Sequence, residues 1–379
     1  MTYQPKKTFH NTLLTLFLIV GFQPISLAVG FDCTKAINAA KKAYASDNQY
    51  DKFLAVEALD MADHQLDTDF LLQAIDPQTP FLTRSAISTI AALNKASMTE
   101  QLISKAAADD EISDLLIDTL QHEGMVGAEN FISRYLLEHP NKFDQIKVMK
   151  AIAKANNSSL ADELKKNYKT YNRDKLVQAY ALYAIVKLRN EFQGAKDEAL
   201  VFANDADPLV REMAVIVLGE LMIKESAIRL KTLINDNEPR VGIAALASFL
   251  KVTNGEKKEE LISILKSKNI SSGEIAAGSL KRLPAPLAMD IIKKSLVENT
   301  NTRVFLRVME SIAVLKGGKA IEFLRLGLAH QNEDIVVQTL FAIGSRSLLS
   351  ERELLTPFLE SENAAFRSIA SWAYLKHPC

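Results

Sequence analysis

Apolar residues recur along this chain at the spacing of buried helix faces, and the spacing itself repeats. The run Asp207-Pro208-Leu209-Val210-Arg211-Glu212-Met213-Ala214 opens with a residue suited to an N-cap. Proline follows at the first helical position, where no backbone N–H is needed. Apolar side chains then fall at Val210, Met213, Ala214, Val217, Leu218 and Leu221, the i, i+3, i+4, i+7 stripe of a helix with one buried face. After Glu238-Pro239-Arg240 the stripe returns as Val241, Ala244, Ala245, Ser248, Phe249 and Val252. Between the two, Ser226–Asn235 reads as a shorter antiparallel partner.

The same anchor position can be followed from one end of the chain to the other. Leu82, Ile112, Phe143, Leu176, Val210, Val241, Ile275, Val304, Ile335 and Phe366 stand 29 to 34 residues apart. A fixed period of this length is the signature of a stacked repeat. The pattern at Asp205 through Gly219, D-x-x-P-x-V-R-x-x-A-x-x-x-L-G, resembles a HEAT repeat of the short kind also found in phycobilisome-lyase-like proteins. The resemblance is closest over 205–252 and 332–376, and Ser272–Gly278 lacks both the proline and the arginine.

The resemblance implies an all-α fold: a right-handed α-solenoid of about ten stacked antiparallel helix pairs, with the second helices lining the inner surface. One amphipathic pair cannot bury its apolar face alone, whereas stacked pairs share a core. Residues 31–75 are expected to form N-terminal capping helices, and 76–379 the repeat array. The last helix, with the only tryptophan, Trp372, is expected to cap the far end. Neither Asn156-Asn157-Ser158-Ser159 nor Leu283-Pro284-Ala285-Pro286 is long enough for a linker, so a single continuous array is expected. The resemblance also implies that Arg84, Arg211 and Arg367, just after the anchors, brace neighbouring repeats against turn carboxylates such as Asp205 or Asp236.

The first thirty residues break the pattern. Lys6 and Lys7 precede the apolar run Leu13–Phe22, which stops at Gln23-Pro24, and small residues follow at Ala28 and Gly30. This is the layout of a cleaved secretory signal over 1–30, with a run too short to span a bilayer. The mature protein is therefore expected in the periplasm or secreted, with no membrane span. Without this segment the chain carries 43 basic and 46 acidic side chains, which argues against nucleic acid as a partner.

Two cysteines, Cys33 and Cys379, lie at opposite ends of the mature chain. In an oxidising compartment they are candidates for an intramolecular disulfide, an intermolecular one, or two unpaired thiols. No histidine stands at ligand spacing from another, and no nucleophile elbow, phosphate loop or dinucleotide fingerprint occurs. Gly317-Gly318-Lys319 reads as a turn between helices. No catalytic, cofactor or metal residues are therefore assigned. Tyr168, Lys169, Tyr171 and Arg173 form an aromatic and basic cluster near a turn, a candidate protein contact. Tyr180 and Tyr183 fall on a helix stripe and read as core. The expected function is a non-enzymatic scaffold that binds another protein on its concave surface. The alternatives are a small-ligand-binding or lyase-like enzyme on the same scaffold, and a disulfide-linked structural subunit.

Overall fold

A computed structural model describes residues 33–377, apart from 65, 123, 156–157, 169–173, 189–193, 298–299 and 316–319. Residues 1–30, Cys379, Gly317-Gly318-Lys319 and the Asn156-Asn157 pair thus lie outside the described residues.

The described chain is helical throughout. It opens with α1 (Thr34–Tyr44), α2 (Gln49–Met61), α3 (Asp69–Gln73), α4 (Pro80–Leu93), α5 (Ala96–Ala108) and α6 (Asp110–Leu120). There follow α7 (Glu129–Glu138), α8 (Lys142–Ala155), α9 (Ser158–Asn167), α10 (Lys175–Lys187), α11 (Ala195–Phe202) and α12 (Pro208–Leu221). Next come α13 (Ala227–Leu233), α14 (Pro239–Thr253), α15 (Lys258–Lys266), α16 (Ile270–Ser279), α17 (Ala285–Ser295) and α18 (Thr302–Val314). The chain ends in α19 (Ile321–Leu328), α20 (Glu333–Arg346), α21 (Leu349–Arg352), α22 (Thr356–Leu359) and α23 (Ala364–Leu375). No described helix is long and apolar enough to cross a membrane.

Most second helices of the pairs start the same way. The side chains of Asn48, Asp109, Asp174, Asp207, Asn269, Asn301, Asn332 and Asn363 each accept a hydrogen bond from an N–H of the first turn that follows. Such caps satisfy donors that the helix itself cannot. Nine of the ten sequence anchors fall in the first turn of a second helix, from Leu82 in α4 to Phe366 in α23, and Ile275 lies in the second turn of α16. One is in the wrong register: Phe143 is 75 % exposed, and Ile146 takes the buried place on α8. The Leu283–Pro286 turn is no break, since Pro286 sits in the first turn of α17, which follows directly.

The second helices pack side by side in order, α2 on α4, α4 on α6, and so on to α20 on α23. The fold is an α-solenoid of antiparallel helix pairs. Its ends, however, are not capped separately: α23 packs against both α1 and α2. The expectation of capping helices at two opposite ends is therefore corrected, because the apolar faces at the two ends cover each other. Ala36, Ala40, Ala58 and Leu59 belong to the same apolar core as Ile343, Ile369 and Trp372. The buried stripe of α1 consists of Ala36, Ala39, Ala40 and Ala43, and α23 answers with Ser368, Ala370, Ser371 and Ala373. Small side chains on both sides allow the helix backbones to approach closely.

Candidate functional site

The junction of the two ends encloses a cavity of about 530 Å³, lined by side chains of α2, α4, α20 and α23 and by Lys376. All four helices are second helices, the layer expected to line the inside of the array. Tyr50, Phe53, Phe341 and Trp372 give it aromatic walls. Ser85, Ser88 and Thr89 of α4, with Ser345 of α20, add hydroxyls. The Ser85 and Thr89 hydroxyls donate to the carbonyls of Phe81 and Ser85 in their own helix, which leaves oxygen lone pairs as acceptors.

Two features give this cavity chemical character. Glu57 and Lys376 form an ion pair of 2.7 Å at its edge, and the Lys376 ammonium lies 4.6 Å from the Trp372 ring centroid. Phe341 meets Trp372 edge-on, with centroids 5.4 Å apart. Trp372 is only 6 % exposed, and its indole N–H finds no acceptor among the described residues. A buried donor left in this state costs about 1–3 kcal/mol, so such a group calls for an explanation.

Behind the cavity, the junction is held by buried charge. Arg352 donates from Nη2 to the Cys33 sulfur at 2.7 Å, and its guanidinium stacks 3.9 Å from the Tyr374 ring centroid. His377 is buried beside it, with neither ring nitrogen hydrogen-bonded among the described residues. Burial, with Arg352 adding to it, pushes the His377 imidazole down to about 4. Arg346 donates to both Glu351 oxygens at 2.8 and 3.0 Å, and to the carbonyls of Ile312 and Leu315.

The residues expected to brace repeats behave differently from one another. Arg211 binds the Asp236 carboxylate through two hydrogen bonds of 2.8 Å and holds it below the usual carboxylate range. Toward Asp205 it donates to the backbone carbonyl, while the Asp205 carboxylate pairs with Lys175 at 2.6 Å. Arg84 reaches Asp118 at 3.0 Å, on the next second helix. Arg367 donates to the carbonyls of Ser361 and Glu362 within its own turn.

The expected contact cluster is corrected in its one described member. Tyr168 is 4 % exposed, and burial raises the pKa of its hydroxyl, so it is core and not surface. Lys169, Tyr171 and Arg173 lie outside the described residues, as does Cys379, while Cys33 is buried at the head of α1. Tyr180 and Tyr183 are half-buried against the core. Sequence reasoning missed Glu57, Lys376 and the hydroxyl face of α4. A signal for that face was present: Ser85, Ser88 and Ala92 share one side of a helix whose other side carries Ile87 and Ile90. No group of His, Cys, Asp and Glu among the described residues has the makings of a metal site.

No protein-family model and no curated protein matches the chain. Among solved structures, an engineered protein is 14% identical over 91% of this chain and 100% of its own, with a TM-score of 0.29. Human deoxyhypusine hydroxylase in complex with glycerol is 14% identical over 79% of this chain and 98% of its own, with a TM-score of 0.30. Likeness this weak bears on neither architecture nor activity.

Proposed function

We propose that the protein is an exported, non-enzymatic scaffold of HEAT-like repeats that binds another protein by taking a segment of it into the junction cavity. The observation that carries this reading is the buried indole N–H of Trp372, without an acceptor in an aromatic-walled cavity. A peptide carbonyl supplies such an acceptor, and an apolar side chain beside it fills the aromatic space. Because α23 packs on α1 and α2, the inner face is better suited to an extended segment than to the broad surface of a folded partner. Export rests on the sequence of residues 1–30.

The test is a photo-cross-linking amino acid placed at Ser85, in the cavity, or at Lys231, exposed on α13, in the mature chain expressed in its native envelope. A discrete protein adduct from Ser85 alone, mapping to one segment of the partner, is the expected result. No adduct from Ser85, or the same adducts from both positions, would contradict it. The volume of the cavity favours a second reading, a small-ligand binder. Native mass spectrometry of the purified protein would then reveal a bound small molecule in place of a protein adduct.

We further infer that Cys33 and Cys379 form a disulfide within one chain. Support comes from the packing of α1 on α23, from the burial of His377 two residues before Cys379, and from the absence of a free cysteine among the described residues. A non-reducing gel separates the cases: a monomer without alkylatable thiol agrees, and a reductant-sensitive dimer assigns the bond to two chains.

A further inference from the structure

We propose that the segment taken into the junction cavity is an uncharged, extended stretch of about five residues, and that its second apolar side chain seats in a neighbouring cleft between Tyr50 and Phe81. The proposal rests on the reading of the junction cavity as the place where a partner's segment binds. The cleft measures about 490 Å³ and lies between the start of α2 at Asn48–Tyr50 and the start of α4 at Gln78–Leu82.

Cleft and cavity are continuous. Tyr50 is a wall of both. On α4, Phe81 lines the cleft and Ser85 the cavity, one turn apart, and the Ser85 hydroxyl donates to the Phe81 carbonyl at 3.1 Å. Phe81, Ser85, Ser88 and Ala92 follow one another along a single face of α4, as Tyr50, Phe53 and Glu57 do on α2. The two spaces thus form one groove that runs lengthwise between these helices. At about 1.5 Å per residue, Phe81 to Ala92 spans about 16 Å, the length of about five extended residues. Phe81 to Ser88 spans about 10 Å, which places the two apolar side chains of the occupant about three residues apart.

The lining selects the occupant's chemistry. Among the described residues, no charged side chain lines the cleft. The cavity has only Glu57 and Lys376, and they are paired with each other at 2.7 Å. A charge on the occupant would lose water without gaining a partner, so the groove complements a neutral segment. It is not purely apolar, however. The Trp372 indole N–H offers a donor, and the Ser85 and Thr89 hydroxyls, whose protons go to their own helix, offer acceptors. Donor and acceptors side by side match the carbonyl and N–H of a peptide backbone, whereas an acyl chain supplies neither.

The outer end of the groove supplies the second anchor. Phe81 is 73 % exposed and Tyr50 47 %, an aromatic pair facing solvent at the mouth of an aromatic-walled cavity. A bulky apolar side chain seated between the two rings withdraws both from water.

Selection from a displayed library of random segments about eight residues long, on the immobilised mature chain, tests the proposal. The best segment is then made without tryptophan, with both ends blocked, and titrated against the emission of Trp372, the only tryptophan in the chain. Enriched segments are expected to lack charge and to carry two bulky apolar residues about three positions apart. Phe81→Ser should weaken binding about tenfold, and Phe143→Ser, at an equally exposed phenylalanine on α8, should leave it unchanged. If Phe81→Ser melts early, Tyr50→Ser provides the same comparison. Saturable binding that neither variant weakens, or enriched segments with a single apolar residue or with charges, would overturn the proposal and leave the junction cavity as a binding site. No enriched segment at all would overturn both. A response of Trp372 to oleate that Phe81→Ser weakens, with none to any peptide, would give the groove to an acyl chain instead.

Discussion

Glu57 and Lys376, from helices near opposite ends of the chain, meet as an ion pair of 2.7 Å with both charged groups mostly withdrawn from solvent. A second pair, Lys35 with Glu360 at 3.0 Å, crosses the same junction on the surface. The exposed pair contributes little, about 0–1 kcal/mol, whereas the shielded one costs more to break. Glu57→Gln and Lys376→Met are each expected to lower stability by about 1–2 kcal/mol, with a coupling of about 1 kcal/mol in a double-mutant cycle measured by urea denaturation. Because Lys376 also lies over the only tryptophan, Lys376→Met should shift its emission, and Lys35→Met should not.

The Arg346–Glu351 pair is wholly buried, with the remaining guanidinium protons directed at the carbonyls of Ile312 and Leu315. Arg346→Met leaves Glu351 as an uncompensated buried charge and is expected to cost about 3–5 kcal/mol. Adding Glu351→Leu should recover a large part of that loss. Equilibrium unfolding of both variants checks the difference, and equal stability of the single and double variants would contradict it.

His377 ties stability to pH. Its folded pKa, pushed down to about 4, lies below the ordinary histidine value near 6.5 in the unfolded chain. The unfolded state therefore binds the extra proton first. The stability this residue contributes is complete above about pH 6.5, declines as pH falls toward 4, and is flat below that. The total is on the order of 3 kcal/mol. Between pH 7 and 5, where carboxylates titrate little, the wild-type chain should lose stability on acidification while His377→Leu stays nearly level. Parallel curves for the two proteins would rule the mechanism out.

Two glycine-to-alanine changes should act in opposite directions. A Cβ on Gly344 of α20 would stand 2.3 Å from the Trp372 ring and 2.9 Å from the Ala373 Cβ, so α20 and α23 would be forced apart. Gly344→Ala is expected to destabilise by about 2 kcal/mol and to perturb tryptophan emission. Gly278 of α16 has open space around its Cβ position. Gly278→Ala should stabilise by about 0.5–1 kcal/mol through helix propensity and a less free unfolded chain. Thermal melts of the two variants against wild type decide it.

What the sequence disclosed follows from how locally each feature is determined. The start of each second helix depends on a cap such as Asp207 or Asn363 and on the stripe that follows, both readable within about ten residues. Phe143 misled because it sits at the anchor distance yet precedes the true stripe of Ile146, Met149 and Ile152. Tyr168 misled for another reason. The basic residues around it suggested a surface, but Leu160, Ala161, Leu164 and Tyr168 share one helical face, and that face is buried. The meeting of the two ends was not legible. It depends on small rotations between successive pairs that accumulate around the array, and no single stripe encodes their sum. The cavity and its Trp372 donor exist only because of that meeting.

Zero-length carbodiimide coupling, followed by peptide mass spectrometry of the monomer, tests the joining of the ends most directly. It links an amine to a carboxylate only where the two already touch. The account requires a linked peptide pair containing Glu57 and Lys376, at a yield comparable to the internal pair Lys258 and Asp290 at 2.6 Å. Coupling of Lys258 to Asp290 without any product joining Glu57 to Lys376 would mean that the ends do not meet, and the junction cavity would fall with them.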